Sequence, residues 1–297
     1  MTNEEIICKL KEECKLRGFS HHTQDEYLGA LRHFLKYYEN RQLENMGEKE
    51  IRQFLLYLID SEKSSGTVNI NNSALRFIYG AVLERSVNTR MIPRQRDYRE
   101  FPDLMSKTEI MQFFSLIDNL RDRTMFETIY GSGLRISEIV KLRVQDIDSK
   151  QMRIYVQKGK DNKDRYTLLS QRNLELLREY WKQYRPNHPD GYLFYARSKD
   201  KHPLTTRSVM NAFIKYRTCA GLSDEFTSHT LRHCFATHLL EAGMEIFRIK
   251  ELLGHTFIQT TAFYLHLQNI QDNVKTAAVF EFPTIPAATA IVQNARP

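Results

Sequence analysis

The side chains that could do chemistry crowd into residues 228–264, SHTLRHCFATHLLEAGMEIFRIKELLGHTFIQTTAFY. This stretch holds His229, Arg232 three positions on, His255 directly after Leu-Leu-Gly, and Tyr264 nine positions further. A guanidinium on an inward helix face must be ion-paired or must be waiting for an anion. Imidazoles carry protons near neutral pH, and a phenol adds a hydroxyl. Singly, each residue has an ordinary reading. His229 fits a cap or a satisfied core histidine, Arg232 half of a structural ion pair, and Tyr264 a core aromatic with its hydroxyl tied off. His255 fits a C-terminal residue favoured by the helix dipole. Together, and with two more basic residues upstream, they stand out as a group.

These groups need elements to hold them. Thr227 or Ser228 as N-cap and Gly243 past the end predict a helix over 229–242. At 100° per residue Leu231, Phe235, Ala236, Leu239 and Leu240 share one face, and His229 and Arg232 fall inside its arc. A short helix follows with Ile246, Ile249, Leu252 and Leu253 as its stripe, ended by Gly254, and Tyr264 falls on the next helix. Upstream, Gly-Ser-Gly at 131–133 breaks the chain between helices 121–130 and 134–142. Arg135 stands near the start of the second, spaced for an i,i+3 ion pair with Glu138. MRIYVQ (152–157) and RYTLL (165–169) flank the turn-rich GKDNKD, which predicts a hairpin with Lys160 and Lys163 at its tip; the usual fate of such a tip is solvation. A strand near 144–148 completes a small antiparallel sheet of three.

H-T-L-R-H with A-T-H-L-L, then L-L-G-H and the spaced tyrosine, joined by G-S-G-L-R-I-S-E-I and G-K-D-N-K-D-R, resemble the tyrosine recombinase (phage-integrase) family, nearest its Xer-like and integron-integrase-like branches. The resemblance spans most of the chain. It implies a DNA strand transferase with catalytic residues Arg135, Lys160, His229, Arg232, His255 and Tyr264. Lys163 is the other candidate for the lysine, because Asp161 stands where the family often has Gly. By the same resemblance Tyr264 attacks phosphorus, Arg135 and Arg232 hold the non-bridging oxygens, and Lys160 protonates the departing oxygen. His229 takes or relays the phenol proton, His255 donates to the phosphate, and Glu138 orients Arg135. No metal, ATP or other cofactor is implied. The implied partners are double-stranded DNA with paired half-sites and three further copies of the chain, forming a tetramer that passes through a Holliday junction. Two rivals share parts of this pattern: a type IB topoisomerase, and a DNA-binding regulator with a silent catalytic domain. A metal site from His229, His233, Cys234, His238 and His255 is a third, without an H-E-x-x-H.

Length and charge fit two domains and a polyanionic partner. The chain has 297 residues and a formal net charge of +7. Residues 1–100 carry 16 Lys and Arg against 15 Asp and Glu, and residues 101–297 carry 27 against 21. The positive excess thus lies with the histidine–arginine–tyrosine stretch. Amphipathic helices at about 3–17, 22–39, 48–63 and 68–86 predict a four-helix, SAM-like core-binding domain over 1–89 that clamps DNA. A linker at 90–103 follows, whose arginines either track a groove or are solvated. The catalytic domain at 104–282 is mixed helical with the small sheet. It opens with a Ser106–Glu109 capping box, adds helices at 107–118, 171–184, 206–220 and 267–280, and includes a strand-like GYLFYA. Arg207 and Lys215 face away from the core as phosphate contacts. Residues 283–297 read as a flexible tail. The fold class is therefore mainly α. Four cysteines without C-x-x-C spacing predict reduced thiols and a cytoplasmic protein. Neither a signal peptide nor a membrane-length apolar run is present in the sequence.

Overall fold

The computed structural model describes residues 1–96, 103–157, 164–196, 202–262 and 264–265, and its chain divides into two compact units, Met1–Glu100 and Phe101–Pro297. The first unit is built from α1 (Asn3–Leu16), α2 (His21–Tyr37), α3 (Glu48–Asp60) and α4 (Ser65–Phe77), the last running on into a π turn at Ile78–Val82. Local chemistry starts each helix. Thr2 and Glu5 close a reciprocal cap on α1, and Ser20 and Ser64 accept from the third backbone N–H of α2 and α4. The apolar stripes then meet: Ile6, Leu10, Leu31, Phe34, Phe54, Leu58, Leu75 and Ile78 are all fully buried in one core.

Three polar side chains of α4 carry the chain beyond this core. Asn72 Nδ2 donates to the carbonyls of Ile92 and Pro93 at 3.1 and 3.0 Å. Asn69 exchanges a pair of bonds with the Gln95 backbone, at 3.0 and 2.9 Å, and Arg76 donates to Ile92 O. Residues 92–95, expected in a linker, are therefore tied to α4 by bonds between its side chains and their backbone, which do not use the side chains of 92–95 themselves.

The second unit holds α5 (Lys107–Ser115), α6 (Leu120–Ser132), α7 (Ile136–Ile139), α8 (Gln171–Tyr184), α9 (Thr206–Cys219), α10 (Ser228–Glu241) and α11 (Ile246–Leu253), with β1 (Ile147–Asp148), β2 (Arg153–Val156) and β3 (Arg165–Leu168). The strands form one antiparallel sheet in the order β1-β2-β3, with Ile154 opposite both Ile147 and Thr167. Side chains alternate across it, Ile154 and Val156 turning into the core. Thr167 Oγ1 donates to Ser132 O at 2.6 Å and fastens β3 to the end of α6. The main core gathers Phe113, Phe126, Ile129, Phe194, Phe213, Leu231 and Cys234 around the sheet and α10. The mainly helical class with a three-stranded antiparallel sheet is the one the sequence predicts.

Three elements differ from expectation, the first being the strand predicted near 144–148, of which only Ile147–Asp148 pairs while Val144–Asp146 forms a 3₁₀ turn. The helix predicted over 134–142 is the four-residue α7, because Asp146 accepts the Arg143 N–H at 2.9 Å and nucleates a separate 3₁₀ turn at Val144–Asp146. GYLFYA is not a strand of the sheet; it makes isolated bridges, Arg143 with Tyr192 and Tyr195 with Pro203. The predicted helix at 267–280, the tail, and Lys160 and Lys163 lie outside the described residues. No helix among the described residues is long and apolar enough to cross a membrane.

Candidate active site

One carboxylate organises three guanidiniums. Arg135 is the N-cap of α7, and Glu138 one turn on accepts both its backbone N–H (2.8 Å) and its Nη1 (2.9 Å). Arg165, from the start of β3, grips the same carboxylate with both arms, Nη1 to Oε1 and Nη2 to Oε2, each at 2.7 Å. Arg232 comes in from α10 with Nη1 3.8 Å from Glu138 Oε2. Burial opposes the charge on Glu138, but the Arg165 fork and then Arg135 outweigh it and hold the pKa down to about 2. Three positive charges against one negative leave an excess that suits an anionic ligand.

Arg232 is also a tie between turns. Its Nη1 donates to Gly133 O and its Nη2 to Leu253 O at 2.6 Å, and it is buried. These are carbonyls at the ends of α6 and α11, which helix geometry leaves without a partner. Both turns need glycine. Gly133 has φ +61°, and a Cβ there would overlap the Phe235 ring; Gly254 has φ +63°, and a Cβ there would sit 2.7 Å from Arg165 Cδ. Arg165 passes under Gly254 to donate from Nε to Leu252 O at 2.8 Å. Gly133 is thus the clearance that lets the Phe235 ring pack against its turn, and Gly254 the one that lets Arg165 approach the backbone.

The histidines and the tyrosine complete the group. His255 Nε2 lies 3.3 Å from Arg232 Nη2, and its Nδ1 lies 2.9 Å from Thr261 Oγ1. Because guanidinium only donates, Nε2 is the acceptor and Nδ1 carries the proton given to Thr261. Burial, then Arg232 and Arg135, push the His255 pKa down to about 3, so the ring is neutral at pH 7. His229 stands exposed in the first turn of α10; packing around its ring, followed by the charges on Arg232 and Arg135, lowers its pKa. Tyr264 is 3 % exposed, packed with Phe235, Leu240, Ile249 and Leu253. Its hydroxyl lies 2.8 Å from His233 Nδ1. Burial raises its pKa to about 12 against the pull of Arg232 and Arg135. A cleft of about 290 Å³ beside the group is lined by Arg165, Lys250, Gly254 and His255 together with Asp164, Glu251 and Thr256.

Family models match both units: that of the phage integrase family over residues 103–270, and that of the phage integrase N-terminal SAM-like domain over residues 6–89. The chain belongs to the phage integrase family. Its relatives there, the tyrosine recombinases, make it a site-specific DNA recombinase by family. It is 36 % identical over 283 residues to the integrase/recombinase y4qK of Sinorhizobium fredii, covering 95 % of this chain and 90 % of that one. It is 32 % identical over 281 residues to the tyrosine recombinase XerA of Thermococcus kodakarensis, covering 91 % and 95 %. Among solved structures, the XerH site-specific recombinase bound to a palindromic difH substrate superposes with a TM-score of 0.71 at 23 % identity, covering 92 % of this chain and 84 % of that one.

Of the six residues singled out in the sequence, the structure brings Arg135, His229, Arg232, His255 and Tyr264 within electrostatic reach of one another, and Lys160 lies outside the described residues. Three participants were not assigned to this group by the sequence, His233 having been considered only for a metal. Arg165 shares strand parity with buried Thr167, so an inward arginine needing a partner was readable there. His233 and Thr261 carried no comparable signal as partners of Tyr264 and His255. The metal grouping does not assemble: His233 meets Tyr264, His238 meets Tyr130 at 2.9 Å, and the Cys234 thiol points to Met105 O. Among the described residues no three His, Cys, Asp or Glu side chains are placed to hold a metal ion.

Proposed function

We propose that this integrase cuts and rejoins duplex DNA by transferring a backbone phosphate to Tyr264. The phenol oxygen attacks phosphorus, the P–O5′ bond breaks, and a proton passes to the departing 5′-oxygen. The products are a 3′-phosphotyrosyl link and a free 5′-hydroxyl. The ester keeps the energy of the broken bond, so a 5′-hydroxyl from another strand reverses the step without ATP. Arg135 and Arg232 stabilise the charge on the non-bridging oxygens; guanidinium forks match that geometry. Lys160, or Lys163, supplies the proton, and His229 takes the one released by the phenol. His255 contacts the phosphate through Nε2, which requires its proton to move from Nδ1 once the phosphate draws Arg232 away. Paired half-sites, a homo-tetramer and a Holliday junction belong to the same reading, as do metal independence and a core-binding domain at 1–89 joined through 90–103 to a catalytic domain at 104–282. Arg207 and Lys215, both exposed on α9, are its candidate phosphate contacts away from the reacting bond.

The observation that supports this most is the convergence of Arg135, Arg165 and Arg232 on the single carboxylate of Glu138, with His255 against Arg232. A nicked duplex that loses its short 5′-hydroxyl fragment traps the intermediate. On a denaturing gel the wild type should give a DNA-linked band that Tyr264→Phe lacks while still shifting the duplex on a native gel. An equal band from Tyr264→Phe would reject Tyr264 as nucleophile.

A further inference from the structure

His233 follows Arg232 on α10 and therefore points about 100° around the helix from it. It faces neither the Glu138 carboxylate nor the 290 Å³ cleft lined by Arg165 and His255; its Nδ1 meets the Tyr264 hydroxyl at 2.8 Å, with the two rings 5.8 Å apart. The phenol behind that bond is 3 % exposed and enclosed by Phe235, Leu240, Ile249 and Leu253. Three residues earlier Thr261, fully buried, is bonded to His255. The tyrosine segment is thus fastened at two points one turn apart, and the buried phenol must be uncovered before a DNA phosphate reaches its oxygen. Burial keeps His233 neutral, with a pKa near 4, so this is a neutral hydrogen bond whose strength does not change across the physiological range.

From this geometry we infer that His233 is a positioning residue that holds the Tyr264 hydroxyl in a withdrawn pose and sets how often the phenol is presented. The inference rests on Tyr264 being the nucleophile for its functional meaning, but the pose itself is measurable without DNA. One buried neutral hydrogen bond shifts an equilibrium by about fivefold. His233→Phe keeps a ring and removes the acceptor, His233→Leu does so with less bulk, and His233→Asn places an amide oxygen where Nδ1 stands.

In the DNA-free full-length protein, N-acetylimidazole labels accessible phenols, and mass spectrometry of the tryptic peptide 251–275 reads Tyr264, its single tyrosine. Labelling should be about fivefold faster in His233→Phe and His233→Leu and return to near the wild-type rate in His233→Asn. The initial rate of adduct formation on the nicked duplex should rise by the same factor in the first two variants. Unchanged labelling in both variants would overturn the inference. So would slower adduct formation with unchanged labelling, which would make His233 a proton acceptor in the reaction. Labelling that shifts as stated in a protein whose wild type forms no adduct would keep the withdrawn pose and reject Tyr264 as nucleophile, which separates the two failures.

Discussion

Replacing Glu138 by Gln keeps the shape of the hub and removes its charge. The carboxylate is buried, and its pKa is held down to about 2 from an ordinary 4.5, chiefly by Arg165 against the cost of burial. A shift of that size is worth about 3 kcal/mol of folding free energy. It matches the 3–5 kcal/mol, roughly, that breaking one member of a buried ion pair costs. The sign follows from proton uptake: the unfolded chain binds the proton more readily than the native one. The stabilisation is therefore complete above pH 4.5 or so and disappears as pH falls toward 2. Urea unfolding followed through Trp181, the single tryptophan and a residue of α8 in the same unit, should show Glu138→Gln about 3 kcal/mol less stable at pH 7. The gap between wild type and variant should close as pH falls from 4.5, since a protonated Glu138 and a glutamine then differ little. A variant within 1 kcal/mol or so of wild type at pH 7, or a gap that does not narrow with acid, would refute the hub.

The two glycine turns make a graded pair. Gly133→Ala drives a methyl into the Phe235 ring, and Gly254→Ala drives one against Arg165 Cδ, each on top of a left-handed backbone costing about 1 kcal/mol. Both should lower the urea midpoint, and Gly133→Ala the more, because a packed ring yields less than an arginine stem. Arg232→Lys should cut adduct formation by about 10²–10³ in the nicked-duplex assay. It should also lower the Trp181 midpoint, since an ammonium cannot bridge Gly133 O and Leu253 O together. Asn72→Ala strands the carbonyls of Ile92 and Pro93 and should cost about 1–3 kcal/mol, read by amide exchange in α4 rather than by Trp181, which lies in the other unit.

Helices were legible where local rules suffice. Ser106 with Glu109 announces α5, and stripes such as Leu231, Phe235 and Ala236 show which face is buried. The lengths of α7 and of GYLFYA were not legible, because Asp146 and the Leu193–Leu142 main-chain bond compete with helix and strand through contacts absent from any local window. The site divides the same way. Arg135, His229, Arg232, His255 and Tyr264 stood out through family resemblance, whereas Arg165 joins Glu138 from 27 residues away and was visible only as an inward strand position. His233 was considered for a metal, since its spacing from His229 is real; its actual partner sits 31 residues on, where helix spacing says nothing.

The most direct test is to digest the trapped protein–DNA adduct with trypsin and find the peptide that carries the nucleotide. Residues 251–275 should be recovered bearing a 3′-phosphonucleotide on Tyr264, their single tyrosine. Recovery of the nucleotide on any other residue, or a duplex cut without a covalent link to the protein, would contradict strand transfer through Tyr264.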